Sequence, residues 1–225
     1  MGIGPHDLQM FKNIRANTNL GNNCAILGNC TFWFGKGTNE ELKEEFKKIM
    51  NFDIVDTFDI NGNPDYIVDL QEPLPDIFYN KYDWVLDIGT LYCIFDICSA
   101  WKNMYNMGTN KCCMIHCSNL VGHYGRGFYA LSPSIFNEFY QSNNFTNELY
   151  YTIKSGSNKD EWIHINNNCN YLKNASESHF TFVKDNTSVR YGIPCDSSIL
   201  CIAITDNKTT FKKIIPQHYI NTNGV

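Results

Sequence analysis

A chain of 225 residues with 43% hydrophobic residues has enough apolar mass for one full core and reads as a single domain. Only 18% of residues are charged, and the formal net charge of −5 excludes the basic stripe that a sequence-independent nucleic-acid binder uses to displace counterions. No apolar run reaches the length of a membrane span, and the sixth residue is His6 where a myristoylation signal has Ser or Thr.

The ten cysteines lack the regular spacing of a secreted disulfide scaffold, and no charged and apolar leader opens the sequence. Reduced thiols in the cytoplasm are therefore expected. Cys112, Cys113 and Cys117 cluster around His116, but adjacent cysteines do not form a C-x-x-C knuckle, so no metal is expected. Sequons such as Asn174-Ala175-Ser176 and Asn186-Thr187-Ser188 carry little weight in so Asn-rich a chain.

In chain order, Asp7 to Asn17 reads as a short leading helix and Cys24 to Asn29 as a strand that breaks at Gly28. Asn39 to Met50 is a helix, with Thr38 or Asn39 as N-cap, Glu40 and Glu41 in its first turn and Lys47-Lys48 in its last. An apolar run from Phe52 follows and ends on Asp59. A second, Asp65 to Leu70, contains Asp69, but too few residues separate the runs for an ordinary parallel crossover, so it reads as a very short edge strand or extended loop.

Two prolines make Glu72 to Asn80 mostly loop, and Tyr82 to Leu86 is the next strand, ending on Asp87. Leu91, Ile94, Phe95, Cys98, Trp101 and Met104 recur at helical spacing, which predicts a helix from Tyr92 to Tyr105. A Gly108-Thr109-Asn110 turn leads into a strand from Lys111 to Cys117, and Ser132-Pro133 opens a helix that ends near Asn143. Short β-prone runs, Tyr150 to Ile153, His179 to Val183 and Ile199 to Thr205, close the chain. The expected fold is α/β: a Rossmann-like, mostly parallel sheet with helices on both faces and an antiparallel C-terminal edge. Acids at the C-terminal ends of such strands, here Asp59, Asp69 and Asp87, lie where open sheets of this kind bind ligands.

The Ala-Ile-Leu-Gly-Asn turn at Gly28, the strand ending in Asp59, the segment Pro64-Asp65-Tyr66-Ile67-Val68-Asp69-Leu70, the following Pro73-x-Pro75 and Asp87-Ile88-Gly89-Thr90-Leu91 together resemble the class I S-adenosylmethionine-dependent methyltransferases. The order matches from about Cys24 to Tyr140. More closely, the chain is similar to a divergent branch with a shortened first glycine motif, an Asp-x-Gly-Thr-Leu-Glu-His motif and a later Gly-His-Gly-Phe-Tyr-x-Phe-Ser-Pro. Here that last stretch reads Gly122-His123-Tyr124-Gly125-Arg126-Gly127-Phe128-Tyr129-Ala130-Leu131-Ser132-Pro133. Leu-Glu-His has become Leu91-Tyr92-Cys93, which removes a carboxylate and an imidazole.

The resemblance implies S-adenosylmethionine as cofactor and a division into an N-terminal extension (1–22), a cofactor-binding core (23–145) and a β-rich C-terminal part (146–225) of one domain. Gly28 and Asn29 would approach the methionine moiety, Asp59 and Ile60 the ribose, and Asp69 and Leu70 the adenine, with Asp87 and Gly89 nearby. Two of the acids also have local readings: Asp59 as a turn former before Asn61-Gly62, and Asp69 as a cap on the Gln71-Glu72-Pro73 turn. Asp87 could equally bond the Gly89 or Thr90 amide.

His123, glycine-flanked on the ligand edge, is the candidate base; His116, inside a strand, reads as structural. Arg126 could bind an anionic substrate group or pair with a surface acid, and Tyr92 and Tyr129 are further substrate candidates. Trp33 and Phe34 could cover the pocket or simply pack. The expected reaction is methyl transfer, chiefly O-methylation, to a small-molecule or sugar acceptor, with no nucleic-acid or membrane partner. The alternative is a fold that binds cofactor or a partner without catalysis. A nicotinamide oxidoreductase would share the ribose acid but wants a G-x-G-x-x-G turn, which Gly28 to Trp33 lacks.

Overall fold

The computed structural model describes residues 2–121, 125–154, 160–164 and 197–214. Its strands and helices are β1 (Gly2–Ile3), α1 (Pro5–Asn17), β2 (Asn23–Leu27), β3 (Thr31–Phe32), α2 (Asn39–Met50), β4 (Ile54–Asp59), β5 (Tyr66–Ile67), β6 (Tyr82–Ile88), α3 (Ile97–Met107), β7 (Gly108–Val121), α4 (Pro133–Ser142), β8 (Thr146–Lys154), β9 (Asp160–His164) and β10 (Ser197–Thr205). The main sheet has the order β5-β4-β2-β6-β7-β10-β8-β9. From β5 to β7 neighbours are parallel; β10 runs antiparallel to both β7 and β8, and β9 antiparallel to β8. The expected mostly parallel sheet with an antiparallel C-terminal edge is present. Its strand order reverses between β2 and β6, the switch point where crevices form outside the strand ends.

Strand alternation divides the core in two. Cys24, Ile26, Trp84, Leu86, Cys113, Ile115, Leu200 and Ile202 pack with Leu8, Phe11 and Ile14 of α1 and Leu42, Phe46 and Met50 of α2. Ala25, Leu27, Val85, Met114, Cys201 and Ala203 pack on the other face with Ala100, Trp101 and Met104 of α3 and Phe136, Phe139 and Tyr140 of α4. Helices thus cover both faces. Consecutive Cys112 and Cys113 fall into opposite cores, so the pair cannot converge on one ion. Burial pushes the Cys112 thiol up to about 12 and Cys113 well above the ordinary range, so both serve as small apolar side chains.

Several boundaries depart from expectation. The helix predicted from Tyr92 is a 3₁₀ turn, Leu91–Cys93, followed by a break and α3 from Ile97. Asp96 causes the break: its carboxylate accepts the Ser99 N–H at 3.1 Å and the Ser99 hydroxyl at 2.7 Å, which makes it an N-cap. β7 does not begin after a Gly108 turn but runs through it, with a register irregularity opposite Tyr82 and Trp84. β5 is a two-residue edge strand. Its tight return is held by Asp65, whose carboxylate accepts the Thr57 N–H and hydroxyl, each at 2.7 Å, and pairs with Lys43. The run His179 to Val183 lies outside the described residues.

Helix α2 carries the expected capping box: Thr38 accepts the Glu41 N–H, Glu41 accepts the Thr38 N–H, and Asn51 ends the helix at φ 52°. Its C-terminus is tied down by Arg15 of α1. That guanidinium donates to the carbonyls of Met50 at 2.8 Å, Asn51 at 2.8 Å and Gly21 at 2.8 Å, and lies 5.1 Å from the Phe52 ring centre. A lysine ammonium cannot span these carbonyls with a planar fork. Arg15→Lys is therefore expected to lower stability by about 1.5–3 kcal/mol, read from the urea midpoint at unchanged slope.

Candidate functional site

β2 and β6 each run into a glycine with a left-handed backbone, Gly28 at φ 97° and Gly89 at φ 91°. A side chain at either position would be strained. The Gly28 N–H donates to the Phe58 carbonyl at 2.6 Å, which carries the β2–β4 pairing one residue further. That places the Asn29 N–H 2.5 Å from Asp59 Oδ2, while Asp59 Oδ1 accepts the Ile60 N–H at 2.6 Å. A carboxylate offers about four lone-pair sites, so these bonds fix the orientation of Asp59 and leave acceptor capacity over.

Beyond β4, a cleft of about 200 Å³ opens between Asp59, Ile60, Asp69 and Leu70 on one side and Thr90, Ile94 and Phe95 on the other, with Phe128 reaching in from the β7–α4 loop. Asp69 both lines this cleft and caps its own turn: Oδ1 accepts the Gln71 N–H at 2.9 Å. The Gln71 side-chain amide donates to the same carboxylate at 3.3 Å, and its oxygen accepts the Asp96 N–H at 2.9 Å. Gln71 thereby ties the Asp69 turn to the start of α3. Thr90 donates its hydroxyl to the Leu27 carbonyl at 2.6 Å and so joins the ends of β2 and β6.

Asp87 requires a correction. It is fully buried and does not line the cleft. Oδ1 accepts the N–H groups of Thr90 at 2.8 Å and Leu91 at 3.1 Å, and Oδ2 lies 2.9 Å from His116 Nδ1. His116 Nε2 in turn meets the Tyr140 hydroxyl. With the ring proton on Nδ1, Asp87 accepts from His116 and His116 accepts from Tyr140, so each of these buried groups has a partner. The acid expected beside a ligand is a buried tie, and His116 is the structural histidine its strand position implied.

The substrate candidates are also redistributed. Tyr92 is only 8% exposed, and burial pushes its phenol above the ordinary range. Its carbonyl accepts the N–H groups of Phe128 at 2.9 Å and Tyr129 at 3.2 Å. Tyr129 donates its hydroxyl to the Phe95 carbonyl at 2.7 Å. Both tyrosines thus stitch loops together. Arg126 is exposed, and its carbonyl accepts the Asn119 side-chain amide at 3.2 Å. His123 lies outside the described residues. Trp33 is exposed and lies against Gly2 and Gly4, away from the cleft, where an added Cβ would meet its ring; Phe34 packs edge-on to Phe32.

Thr90, Ile94, Phe95, Gln71 and Phe128 were not singled out for this cleft by sequence reasoning. The signal available was Asp96, an N-cap residue inside an apparently continuous helical run, which would have released Ile94 and Phe95 from the predicted helix face.

No protein-family model matches the chain, and no curated protein sequence matches it. Solved structures do. A SAM-dependent methyltransferase from Archaeoglobus fulgidus is similar at 11% identity and a TM-score of 0.52, over 92% of this chain and 95% of that one. The Burkholderia thailandensis 1,6-didemethyltoxoflavin-N1-methyltransferase, solved with 1,6-didemethyltoxoflavin and S-adenosylhomocysteine bound, is similar at 9% identity and a TM-score of 0.48, over 90% and 80%. The fold is thus the Rossmann-like one of S-adenosylmethionine-dependent methyltransferases.

Because Asp87 is buried and paired, Asp87→Ala strands His116 and two backbone N–H groups together. The variant is expected to lose stability in urea denaturation by at least about 1–3 kcal/mol, the cost of a buried donor left without its acceptor.

Proposed function

We propose that this protein binds S-adenosylmethionine in the cleft beyond β4 and transfers its methyl group to a small-molecule acceptor, with a sugar-type hydroxyl as the acceptor group. The observation that carries the reading is convergence: Asp59, fixed over the Gly28 turn, and Asp69-Leu70 line one cleft near the switch point of the sheet. The residues suit the cofactor's parts. Asp59 has acceptor capacity left for two ribose hydroxyls, Asp69 presents acceptors to an amino group, and Gly28 lets backbone approach without a side chain.

When bound, the cofactor supplies a methyl group already activated by a positive sulfur, so the chain has alignment and proton removal left to provide. A hydroxyl is a poor nucleophile near neutral pH, and a base within reach contributes roughly 10²–10⁴-fold. His123 takes that role in this reading. Tyr92, with its phenol pushed up by burial, is poorly matched to it.

A second reading, cofactor binding without transfer, is favoured by Tyr92 and Cys93. They stand where the resembled motif has Glu and His, and Tyr92 uses its backbone to hold the 128–129 segment. A panel of hydroxyl and amine acceptors separates the two: methylation of any of them supports transfer, whereas cofactor binding with no product supports the second.

Calorimetry with S-adenosylmethionine and S-adenosylhomocysteine tests the binding itself; no heat from either at millimolar concentration would sink the proposal. Asp59→Ala is expected to weaken binding by about 1.5–3 kcal/mol, the loss of a charged hydrogen-bond acceptor. His123→Ala is expected to retain cofactor affinity and lose at least about a hundredfold in turnover. Full activity in a folded, cofactor-binding His123→Ala variant rules that base out.

A further inference from the structure

The parallel strands have a second edge, where β6 and β7 begin, and a pocket of about 570 Å³ opens there. It lies between the Tyr79-Asn80 segment ahead of β6, the last turns of α3, and residues 208–211 beyond β10. The full length of β6, at about 3.3 Å per residue, sets it roughly 20 Å from the edge that carries the cleft beyond β4. A small ligand here does not reach that site.

The walls of the pocket are held by the end of α3. Lys208 donates to the Tyr105 carbonyl at 2.9 Å, to the Gly108 carbonyl and to the Asn80 side-chain oxygen at 3.3 Å, which occupies its three protons. Its backbone N–H goes to the Asn110 carbonyl at 2.8 Å, and the Tyr105 hydroxyl donates to the Thr209 carbonyl at 2.7 Å. Phe211 is then braced at 5.3 Å from Tyr105 and 5.6 Å from Phe139, ring centre to ring centre. On the opposite side the Asn80 N–H bonds the Asn106 carbonyl at 2.8 Å. Lys208 thus has a structural task, capping the last carbonyls of α3.

Other groups on the pocket wall have no such task. Lys102 has no hydrogen-bond or ion-pair partner among the described residues, and neither do the side-chain amides of Asn106 and Asn110. Two ammonium groups and no carboxylate line the pocket, although the chain as a whole carries a formal charge of −5. That asymmetry selects an anion, and only Lys102 has protons left to meet one. A free amide offers a donor beside an acceptor, which matches a hydroxyl that is itself both. The half-buried rings of Tyr79 and Phe211 offer carbon faces.

We infer that this pocket is a second ligand site, for a sugar that carries one anionic group, a uronic acid or a sugar phosphate. Lys102 meets the anion, Asn106 and Asn110 meet ring hydroxyls, and an aromatic wall covers the carbon face of the sugar. The site is independent of the methyl-transfer reading, since none of its residues lines the cleft beyond β4.

The test is calorimetry on the full chain with glucuronate, glucose 6-phosphate, glucose and inorganic phosphate, for the wild type, Lys102→Gln and Asn106→Ala. Wild type is expected to bind at least one of the anionic sugars in the millimolar range or tighter, and about tenfold more tightly than glucose or phosphate alone. A preference for glucuronate identifies a carboxylate as the anion, and a preference for glucose 6-phosphate identifies a phosphate. Lys102→Gln is expected to weaken the anionic sugar about tenfold, the lower end for a hydrogen bond to a charged group, and to bring it level with glucose. Asn106→Ala is expected to weaken it roughly 2- to 10-fold, the range for a neutral hydrogen bond. Added S-adenosylhomocysteine is expected to leave these affinities unchanged. An unchanged ligand-free thermal midpoint, expected for the exposed Lys102, separates the effect from misfolding.

No binding of either anionic sugar at millimolar concentration overturns the inference. So does glucose binding as tightly as the anionic sugars, or phosphate binding as tightly as glucose 6-phosphate, which leaves an anion site only. Anionic-sugar binding that is unchanged in both variants, or that S-adenosylhomocysteine competes away, lies elsewhere on the chain and overturns it as well.

Discussion

A carboxylate with no access to water must find its donors inside the protein, and the way Asp87 does so fixes the geometry of the sheet edge at which β2, β4 and β6 end. It gathers the Thr90 and Leu91 amides above β6 and faces His116 of β7, which reaches Tyr140 of α4. One buried group thus locks the turn after β6 to the neighbouring strand and to a helix on one face of the sheet. The turn so locked carries Thr90, whose hydroxyl reaches back to β2, and Tyr92, whose carbonyl holds the 128–129 segment. Leaving any of these polar groups unpaired in the core would cost about 1–3 kcal/mol, which makes the arrangement cooperative.

Upon that frame the cleft needs little further machinery. Asp59 is oriented by the backbone of the Gly28 turn, and Asp69 by Gln71, whose side chain is anchored on the amide that opens α3. The walls therefore come from four segments, after β4, around Asp69, after β6 and before α4, braced by hydrogen bonds to backbone groups. Such bracing is how a site holds its geometry before any ligand arrives, and it lowers the ordering cost of binding.

Where side chains obey a simple period, the sequence was readable. The buried runs of β2, β4 and β6, the capped helix α2 and the Ser132-Pro133 helix start all fell close to their expected bounds, because alternation, caps and Pro at the first turn are local signals. The antiparallel edge could be expected from chain order, but not that β10 inserts between β7 and β8. The break at Asp96 was hidden because Ile94 and Phe95 keep helical spacing while belonging to the loop. Pairing of β1 with β3 left no trace, since two residues carry no period. Among the candidate site residues, the grouping of Asp59, Ile60, Asp69 and Leu70 was legible from order along the chain.

Asp59 and Asp87 show why the rest was not. Both are aspartates at the C-terminal ends of adjacent-region parallel strands, and both accept backbone N–H groups from the residues that follow. Their difference lies in what stands beside them in space. Asp59 has the small Gly28-Asn29 turn next to it and opens onto a cleft. Asp87 has the His116 ring beside it, itself enclosed by Trp101, Phe136 and Tyr140 at centroid distances of 5.0, 5.1 and 5.6 Å. Those neighbours come from α3, β7 and α4, the last two well beyond any short window that contains Asp87. An acid at a strand end is thus an open question in sequence, answered by whether the adjacent strand presents glycine and backbone or a side chain that closes over it.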